Sequence, residues 1–276
     1  MYIYDSQGTE LHCLRQLRDV NRLDFLPYHF LLTSIGRTGW FKYLDTSTGT
    51  MIAQHSTRMG ESDCLTHNPW NAVSTLGHRR GYISMWTPNM STEVVKILAH
   101  KAPVHSISID TSGKYMVSSG ADGKIHIWDL RKYQTLFSYS TPNPATSLSI
   151  SQTGLLGLAF GPHVQVWKDL FVSKQERPYM QELVGGKLVR DVQFVPYEDF
   201  LCVGHSEGIK NLVIPGAGQA VFDSFEANPF ESRHQRRERE VRQLLEKLQP
   251  ETIVLDPNSI GRIDTASAVR LLSLTV

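Results

Sequence analysis

One recurring slot constrains this chain of 276 residues more than any other feature. It is a short apolar run closed by an aromatic or aliphatic residue and, in three copies, an aspartate. It reads Ile3-Tyr4-Asp5, Tyr43-Leu44-Asp45, Met85-Trp86-Thr87, Ile127-Trp128-Asp129, Val166-Trp167-Lys168 and Leu212-Val213-Ile214. Successive copies stand 40, 42, 42, 39 and 46 residues apart. A period of about 40–45 residues is that of a four-stranded unit repeated around an axis. A second landmark keeps step: Gly36, Gly77, Gly120, Gly161 and Gly204 each lie a few residues ahead of the slot. A tight turn is expected there, one that needs a residue tolerant of positive φ.

The fullest copy runs from Ser118 to Leu130. Ile125, Ile127 and Leu130 alternate with Lys124, His126 and Asp129, and Asp122-Gly123 precedes them. That pattern predicts a half-buried strand entered through a hairpin. It ends in Trp128-Asp129, the signature of a WD-repeat blade. The expected fold class is therefore all-β: a WD-repeat β-propeller of about five blades plus a leftover strand, followed by a short helical extension. The units divide near residues 18–60, 61–97, 98–139, 140–183 and 184–222. Because residues 1–17 start inside a blade, the sequence reads as an N-terminally truncated arc of a seven-bladed ring. Such an arc would expose unpaired strand edges.

The third unit also carries His100, Ser118 or Ser119, Asp122 and Trp128. A serine, a histidine and an aspartate invite comparison with a catalytic triad. These residues fall on repeat positions, however, where a hydrogen-bonded network satisfies buried polar groups. No G-x-S-x-G elbow accompanies them. The remaining histidines, such as His78 and His205 beside turn glycines, are scattered. No catalytic residue, cofactor, metal site or small-molecule substrate is assigned. The net charge of +1 supplies no global field towards nucleic acid or anionic lipid. The three cysteines form no CxxC pair, which fits a reducing compartment. No apolar run approaches the ~20 residues of a membrane span, so no membrane partner is expected.

After residue 222 the alternation stops. Asn228-Pro229-Phe230-Glu231 reads as a helix start, with Asn228 as the cap and Pro229 in the first helical position. Pro250 reads as its stop. Val241, Leu244, Leu245 and Leu248 follow the i, i+3, i+4, i+7 spacing of one apolar stripe. Arg237 and His234 continue that face, and Arg233, Arg236 and Arg239 surround it. One reading is a solvated helix stitched by Glu238–Arg242 and Arg236–Glu240 pairs, each worth about 0.2–0.5 kcal/mol. The other is a docking helix, leucines on a protein and arginines on phosphate or an acidic partner. The expected domains are a propeller over 1–222, a helix-containing C-terminal domain over 223–264 and a tail over 265–276, to which no role is assigned.

Several longer words carry a resemblance. They are LVIPGAG at 212–218, FDSFEANPF at 222–230, LLEKLQP at 244–250, MYIYDSQGTELHCLR at the start and NPWNAVSTLGHRRGYISMW at 68–86. Over about residues 1–264 the chain resembles the family of nucleolar WD-repeat proteins of the small-subunit processome that carry their own C-terminal domain. The resemblance implies a non-enzymatic scaffold needed for processing the 18S ribosomal RNA precursor. It also implies a nucleolar location, other processome proteins as partners, and the pre-ribosomal RNA particle as their setting. Pro215, Gly216 and Gly218 carry over as the turn leaving the last blade, and Asn228-Pro229 as the helix start. The family's long N-terminal region and basic tail have no counterpart here. The rival reading is a generic WD-repeat adaptor, such as a ubiquitin-ligase receptor or a chromatin module. An enzyme would need ionisable residues converging on the central channel.

Overall fold

Alternating apolar and polar residues separated by short turns force antiparallel sheets, and the computed structural model shows six of them. It describes residues 1–5, 7–219 and 231–260. The first sheet is a hairpin of β1 (Tyr2–Tyr4) and β2 (Glu10–Cys13). Three complete blades come next: β3 (Val20–Leu26) to β6 (Met51–Ser56), β7 (Ser62–His67) to β10 (Val95–Leu98), and β11 (Val104–Ile109) to β14 (Gln134–Ser140). Within them lie β4 (Leu31–Gly36), β5 (Trp40–Asp45), β8 (Ser74–His78), β9 (Tyr82–Trp86), β12 (Tyr115–Gly120) and β13 (Lys124–Asp129). The fourth blade comprises β15 (Ser147–Ile150), β16 (Leu156–Phe160), β17 (His163–Trp167) and β18 (Met180–Leu183). The last sheet has three strands, β19 (Val189–Phe194), β20 (Phe200–His205) and β21 (Gly208–Val213). This is the antiparallel architecture of β-propeller blades.

The recurring slot falls at the end of the third strand of each blade, at Asp45, Trp86, Asp129, Trp167 and Val213. The leftover strand is a two-stranded hairpin rather than a single strand. Its β1 occupies the same slot, so the hairpin corresponds to the outer half of a blade. The inner strands β3, β7, β11, β15 and β19 stand side by side in sequence order and line the axis. Between blades the interior is apolar. Tyr43, Phe41 and Trp86 are the bulkiest fully buried side chains, and Tyr43 donates its hydroxyl to the Trp86 carbonyl at 3.1 Å.

The phase-keeping glycines prove to have a different cause from the one expected. Gly36, Gly77, Gly120 and Gly204 are the last or next-to-last residues of second strands and do not have positive φ; of the five, only Gly161 does, at +57°. Close approach accounts for the tightest of them. A Cβ on Gly77 would lie 2.1 Å from Cys64 Sγ, and one on Gly120 would lie 2.6 Å from the His100 ring. The left-handed residue of the hairpin comes three or four places later, at Gly39, Gly81 and Gly123. The Asp122-Gly123 turn is made as the sequence predicts, with Gly123 at φ +70°.

Beyond the blades a single α-helix, α1 (Arg233–Leu245), is present among the described residues. Two 3-10 turns come after it, Pro250–Thr252 and Pro257–Ser259. No described helix is long and apolar enough to cross a membrane.

Candidate functional site

The blade network decides whether the serine and histidine of the third unit are available for chemistry. His100 Nε2 lies 2.8 Å from Ser118 Oγ, and Nδ1 lies 3.2 Å from Asp122 Oδ1. Trp128 donates its indole N–H to the same Ser118 Oγ at 2.9 Å. An ionised Asp122 only accepts, so Nδ1 carries the proton and Ser118 donates to Nε2. Burial lowers the His100 pKa and keeps the ring in that neutral form. Burial alone would raise Asp122, but the Lys124 amide and the His100 ring outweigh it and hold the carboxyl low. Ser118 is 0% exposed, so no substrate reaches its hydroxyl. Ser119 stands apart, donating to the Ser106 and Ala145 carbonyls and so stitching this blade to the next. A reduced version recurs one blade earlier, where His78 Nε2 and Trp86 Nε1 converge on Ser84 Oγ at 2.7 and 2.8 Å. His78 is thus an element of blade structure.

The chain leaves the last blade through Pro215, Gly216 and Gly218. Gly216 has φ +79°, and a Cβ on Gly218 would meet the Glu198 backbone at 2.7 Å. Gly218 N–H donates to Asp199 Oδ1 at 2.8 Å, and Thr153 of the neighbouring blade donates to the Gly216 carbonyl at 2.7 Å. The amides of Gly218 and Gly216 lower the Asp199 pKa. This turn fastens the exit of β21 to two blades at once.

The helix begins later than its sequence suggests. Ser232 is the cap: its Oγ accepts the Gln235 amide at 3.3 Å, while Gln235 Oε1 accepts the Ser232 amide at 2.9 Å. This reciprocal capping box satisfies two orphan donors. Asn228 and Pro229, the expected start, lie outside the described residues. The helix also ends sooner, at Leu245, with Glu246 as its C-cap, well before Pro250. Leu248 is therefore not on the helical stripe. Its amide donates to the Tyr28 carbonyl at 2.9 Å, beyond the helix.

The arginines are not equivalent. Glu231 receives Arg236 at 3.2 Å and Arg239 at 2.9 Å, and Arg239 is the largest cause of the lowered Glu231 pKa. His234 lies 3.5 Å from Glu238. The Glu238–Arg242 and Arg236–Glu240 pairs expected from spacing are not formed; Arg236 is taken by Glu231 and Glu238 faces His234. Arg233 and Arg237 make no ion pair among the described residues. No residue of α1 is buried: Val241, Leu244 and Leu245 are 57, 51 and 82% exposed.

The segment C-terminal to α1 behaves in the opposite way. Residues 247–258 form a strap laid across the loops that join first to second and third to fourth strands in the first three blades. Lys247 Nζ pairs with Asp45 and lies 2.8 Å from Ser47 Oγ. His29 Nε2 lies 3.0 Å from Thr252 Oγ1, and Asn71 and Asn89 donate to the Leu255 and Glu251 carbonyls at 3.0 Å each. Ile253 is 0% exposed and belongs to the same core as Leu26, Trp86 and Met116. The NPWNAV word supplies the cradle. Asn68 and Asn71 accept the Trp70 and Val73 amides, and Ala72 at φ 56° turns the loop. Leu248, Thr252, Pro257 and Ile260 then edge a cavity of about 1260 Å³ at the mouth of the central channel. Its other walls are the first loops of all five blades, among them Tyr28, Trp70, Gln152 and Tyr197.

Two family models match this architecture. One is the WD domain, G-beta repeat, over residues 91–129, and the other is the BING4CT (NUC141) domain over residues 178–256. The chain thus carries a BING4CT (NUC141) domain joined to WD repeats. It is 49% identical to U3 small nucleolar RNA-associated protein 7 of Saccharomyces cerevisiae over 98% of this chain and 52% of that one. It is 43% identical to human WD repeat-containing protein 46 over 97% of this chain and 44% of that one. The chain therefore spans about half the length of these relatives. Among solved structures, a chain in the crystal structure of the mitotic checkpoint complex superposes with a TM-score of 0.66 at 16% identity. That match covers 80% of this chain and 72% of that one, and shows the fold alone.

The BING4CT match joins the last blade to the strap in one continuous segment. Sequence reasoning missed the strap. Its one periodic signal, Leu248, has the spacing of the helical stripe, and Ile253 and Leu255 are too few to show a period. The available clue was Lys247: a lone cation directly after an apolar stripe, in a chain where three of the repeat slots end in aspartate.

Proposed function

We propose that this chain is a non-enzymatic assembly factor of the small-subunit processome, acting in the nucleolus on the 18S ribosomal RNA precursor particle. The observation that carries the proposal is the contrast at the C-terminus. A capped, unburied helix with an apolar face and two uncommitted arginines is tethered to the propeller by a strap that buries Pro250 and Ile253. A helix with nothing to cover on its own blades is a helix presented to a neighbour. One relative is named for its association with U3 small nucleolar RNA, which supports this choice of particle. In this reading the propeller is the platform, and the C-terminal domain contributes α1 (Arg233–Leu245) and the strap over 247–258. Val241, Leu244 and Leu245 meet a processome protein, and Arg233 and Arg237 meet its acidic rim or a phosphate.

The test is to express the tagged chain in cells, purify it gently and measure small-subunit ribosomal RNA precursor in the eluate. Enrichment is expected. A partner set without ribosomal precursors would favour the generic adaptor reading instead.

A further inference from the structure

On the opposite rim of the propeller, the segment joining the β1–β2 hairpin to the first blade folds over the start of β5. Between them is a pocket of about 340 Å³. Its wall carries Arg15, Arg18 and Lys42, with Trp40 at one edge and Thr38 beside it. Trp40 is 41% exposed, although it opens a strand whose next residue, Phe41, is wholly buried. Two of the cations are held in place by backbone: Arg18 Nε donates to the Arg15 carbonyl at 3.3 Å, and Lys42 Nζ donates to the Gln16 carbonyl at 2.7 Å. Neither bond uses up the charge. Among the described residues Arg15, Arg18 and Lys42 make no ion pair, and Asp19 is the only carboxylate on the wall.

The surroundings sharpen the contrast. One loop further along, the carboxylates of Glu61 and Asp63 are matched by Arg79, at 2.8 and 3.3 Å, and Arg37 approaches Glu61 at 4.0 Å. These acidic groups are therefore neutralised locally, while the cations of the pocket are left over. Uncommitted cations beside an exposed indole are the two halves of a single-stranded nucleic-acid site. Arginine and lysine take the phosphates, and the indole takes the face of a base. An acidic peptide would satisfy the cations and leave the indole uncovered. A duplex would offer no unstacked base.

We propose that the Arg15–Arg18–Lys42–Trp40 pocket binds a single-stranded RNA segment, stacking one base on Trp40 with the flanking phosphates on the three cations. The proposal rests on the assembly-factor reading for the source of the RNA, and on the pocket alone for the binding.

The measurement is fluorescence anisotropy of labelled dodecauridylate with the full chain across a salt series. Trp40→Ala is expected to weaken binding about 5- to 150-fold, the equivalent of one lost base stack. Trp40→Phe, which keeps a π face, recovers most of it. Arg15→Gln with Arg18→Gln lowers the slope of log affinity against log salt by about 1.4, two single-strand phosphates. Three results would overturn the proposal: no binding by the folded wild-type chain, affinity unchanged in Trp40→Ala, or a charge-matched polyglutamate that competes as well as the RNA. The last would make the pocket a protein contact. Dodecauridylate binding without particle association would refute the assembly reading and leave the pocket standing. Particle association without dodecauridylate binding would do the reverse.

Discussion

The α1 helix and the strap are neighbours in sequence and have opposite relations to the propeller. Along Arg233–Leu245 no side chain is buried, and the apolar stripe faces solvent. Along 247–258, Ile253 is wholly buried, Pro250 is buried, and backbone carbonyls are bound by two asparagines of the second blade. The helix is stabilised within itself, by its capping box and by Glu231 on two arginines. The strap is stabilised chiefly by what it lies on. Local stability without burial is what a surface kept for a partner requires. Burial with little regular structure is what an intramolecular clamp requires, since an irregular segment can match the spacing of loops that a helix could not.

The largest effect should follow from breaking the clamp at its apolar centre. Ile253→Asp puts a carboxylate into the core shared by three blades, among side chains that are apolar. A buried, unpaired charge costs several kcal/mol, so the strap should detach, with the first three blades left less stable. Ile253→Ala should cost less, about 2–5 kcal/mol if the cavity does not collapse. Hydrogen exchange of the Leu248 amide, which donates to the Tyr28 carbonyl, reports detachment directly. Protection that persists in Ile253→Asp would show that the strap is held by its polar contacts alone.

The next effect separates those polar contacts. Lys247→Ala takes from Asp45 its cation, at a site where the lysine and aspartate side chains are 16 and 5% exposed. Removing one partner of a buried pair should cost about 1–3 kcal/mol, and Asp45→Asn in the same chain should restore part of it. Thermal melts of the four members of that cycle measure the coupling. Non-zero coupling is expected for the strap, whereas the same cycle on His234 and Glu238 in the helix should give almost none.

Acidification should distinguish the two regions without mutation. His29, packed against Thr252, is held down to about 4 by burial and then by the Lys247 charge. A histidine whose folded pKa lies below its ordinary value favours the folded state above that ordinary value. The advantage is lost as pH falls from about 6.5 towards 4. Strap amides should therefore lose protection across that window, with Lys247 and Asp45 still paired. Asp45 is a carboxylate that burial would raise, but Lys247 and Ser47 lower it to about 2. Its contribution is present above about pH 4 and disappears only as pH falls towards 2. His29→Gln should remove the first phase and leave the second. His78 and His100 are also lowered by burial and will affect the blades over a similar range. Amides of the strap must therefore be followed individually.

The unequal legibility of the two regions has a physical reason. Blades repeat, so Trp128-Asp129 and its degenerate relatives align on a period, and the blade network of His100, Ser118, Asp122 and Trp128 can be named from one unit. The helix has a period of its own, so Val241, Leu244 and Leu245 are legible as one face. Its ends are not, because Asn228-Pro229 and Ser232-x-x-Gln235 both have the composition of a start, and the reciprocal hydrogen bonds are what identify Ser232 as the cap. The strap has no period. Its partners lie about 160–220 residues away in sequence, at separations such as 223 for His29 and Thr252 and 162 for Asn89 and Glu251. Nothing local in the chain signals contacts at such distances. The same holds for the phase-keeping glycines: their spacing is visible, while the cause, a neighbouring ring or thiol at Gly120 and Gly77, is tertiary.

The smallest expected change in stability is the most informative about function. Leu244→Ser with Leu245→Ser alters side chains that are 51 and 82% exposed. Surface substitutions of this kind usually stay within about ±0.5 kcal/mol each, so the melt should barely move. Arg233→Glu with Arg237→Glu is similarly mild, because neither arginine is in an ion pair among the described residues. Changing Arg236 or Arg239 is a poorer experiment, since it also releases Glu231 and loosens the helix itself. If α1 is presented to a neighbour, the leucine pair and the arginine pair should each reduce co-sedimentation with the precursor particle while leaving strap protection intact. Leucine variants that lose the particle while arginine variants keep it would assign the contact to protein packing alone. Unchanged sedimentation in both would remove the docking role from the helix, and would leave the strap as the only part of the C-terminal segment with an identified task.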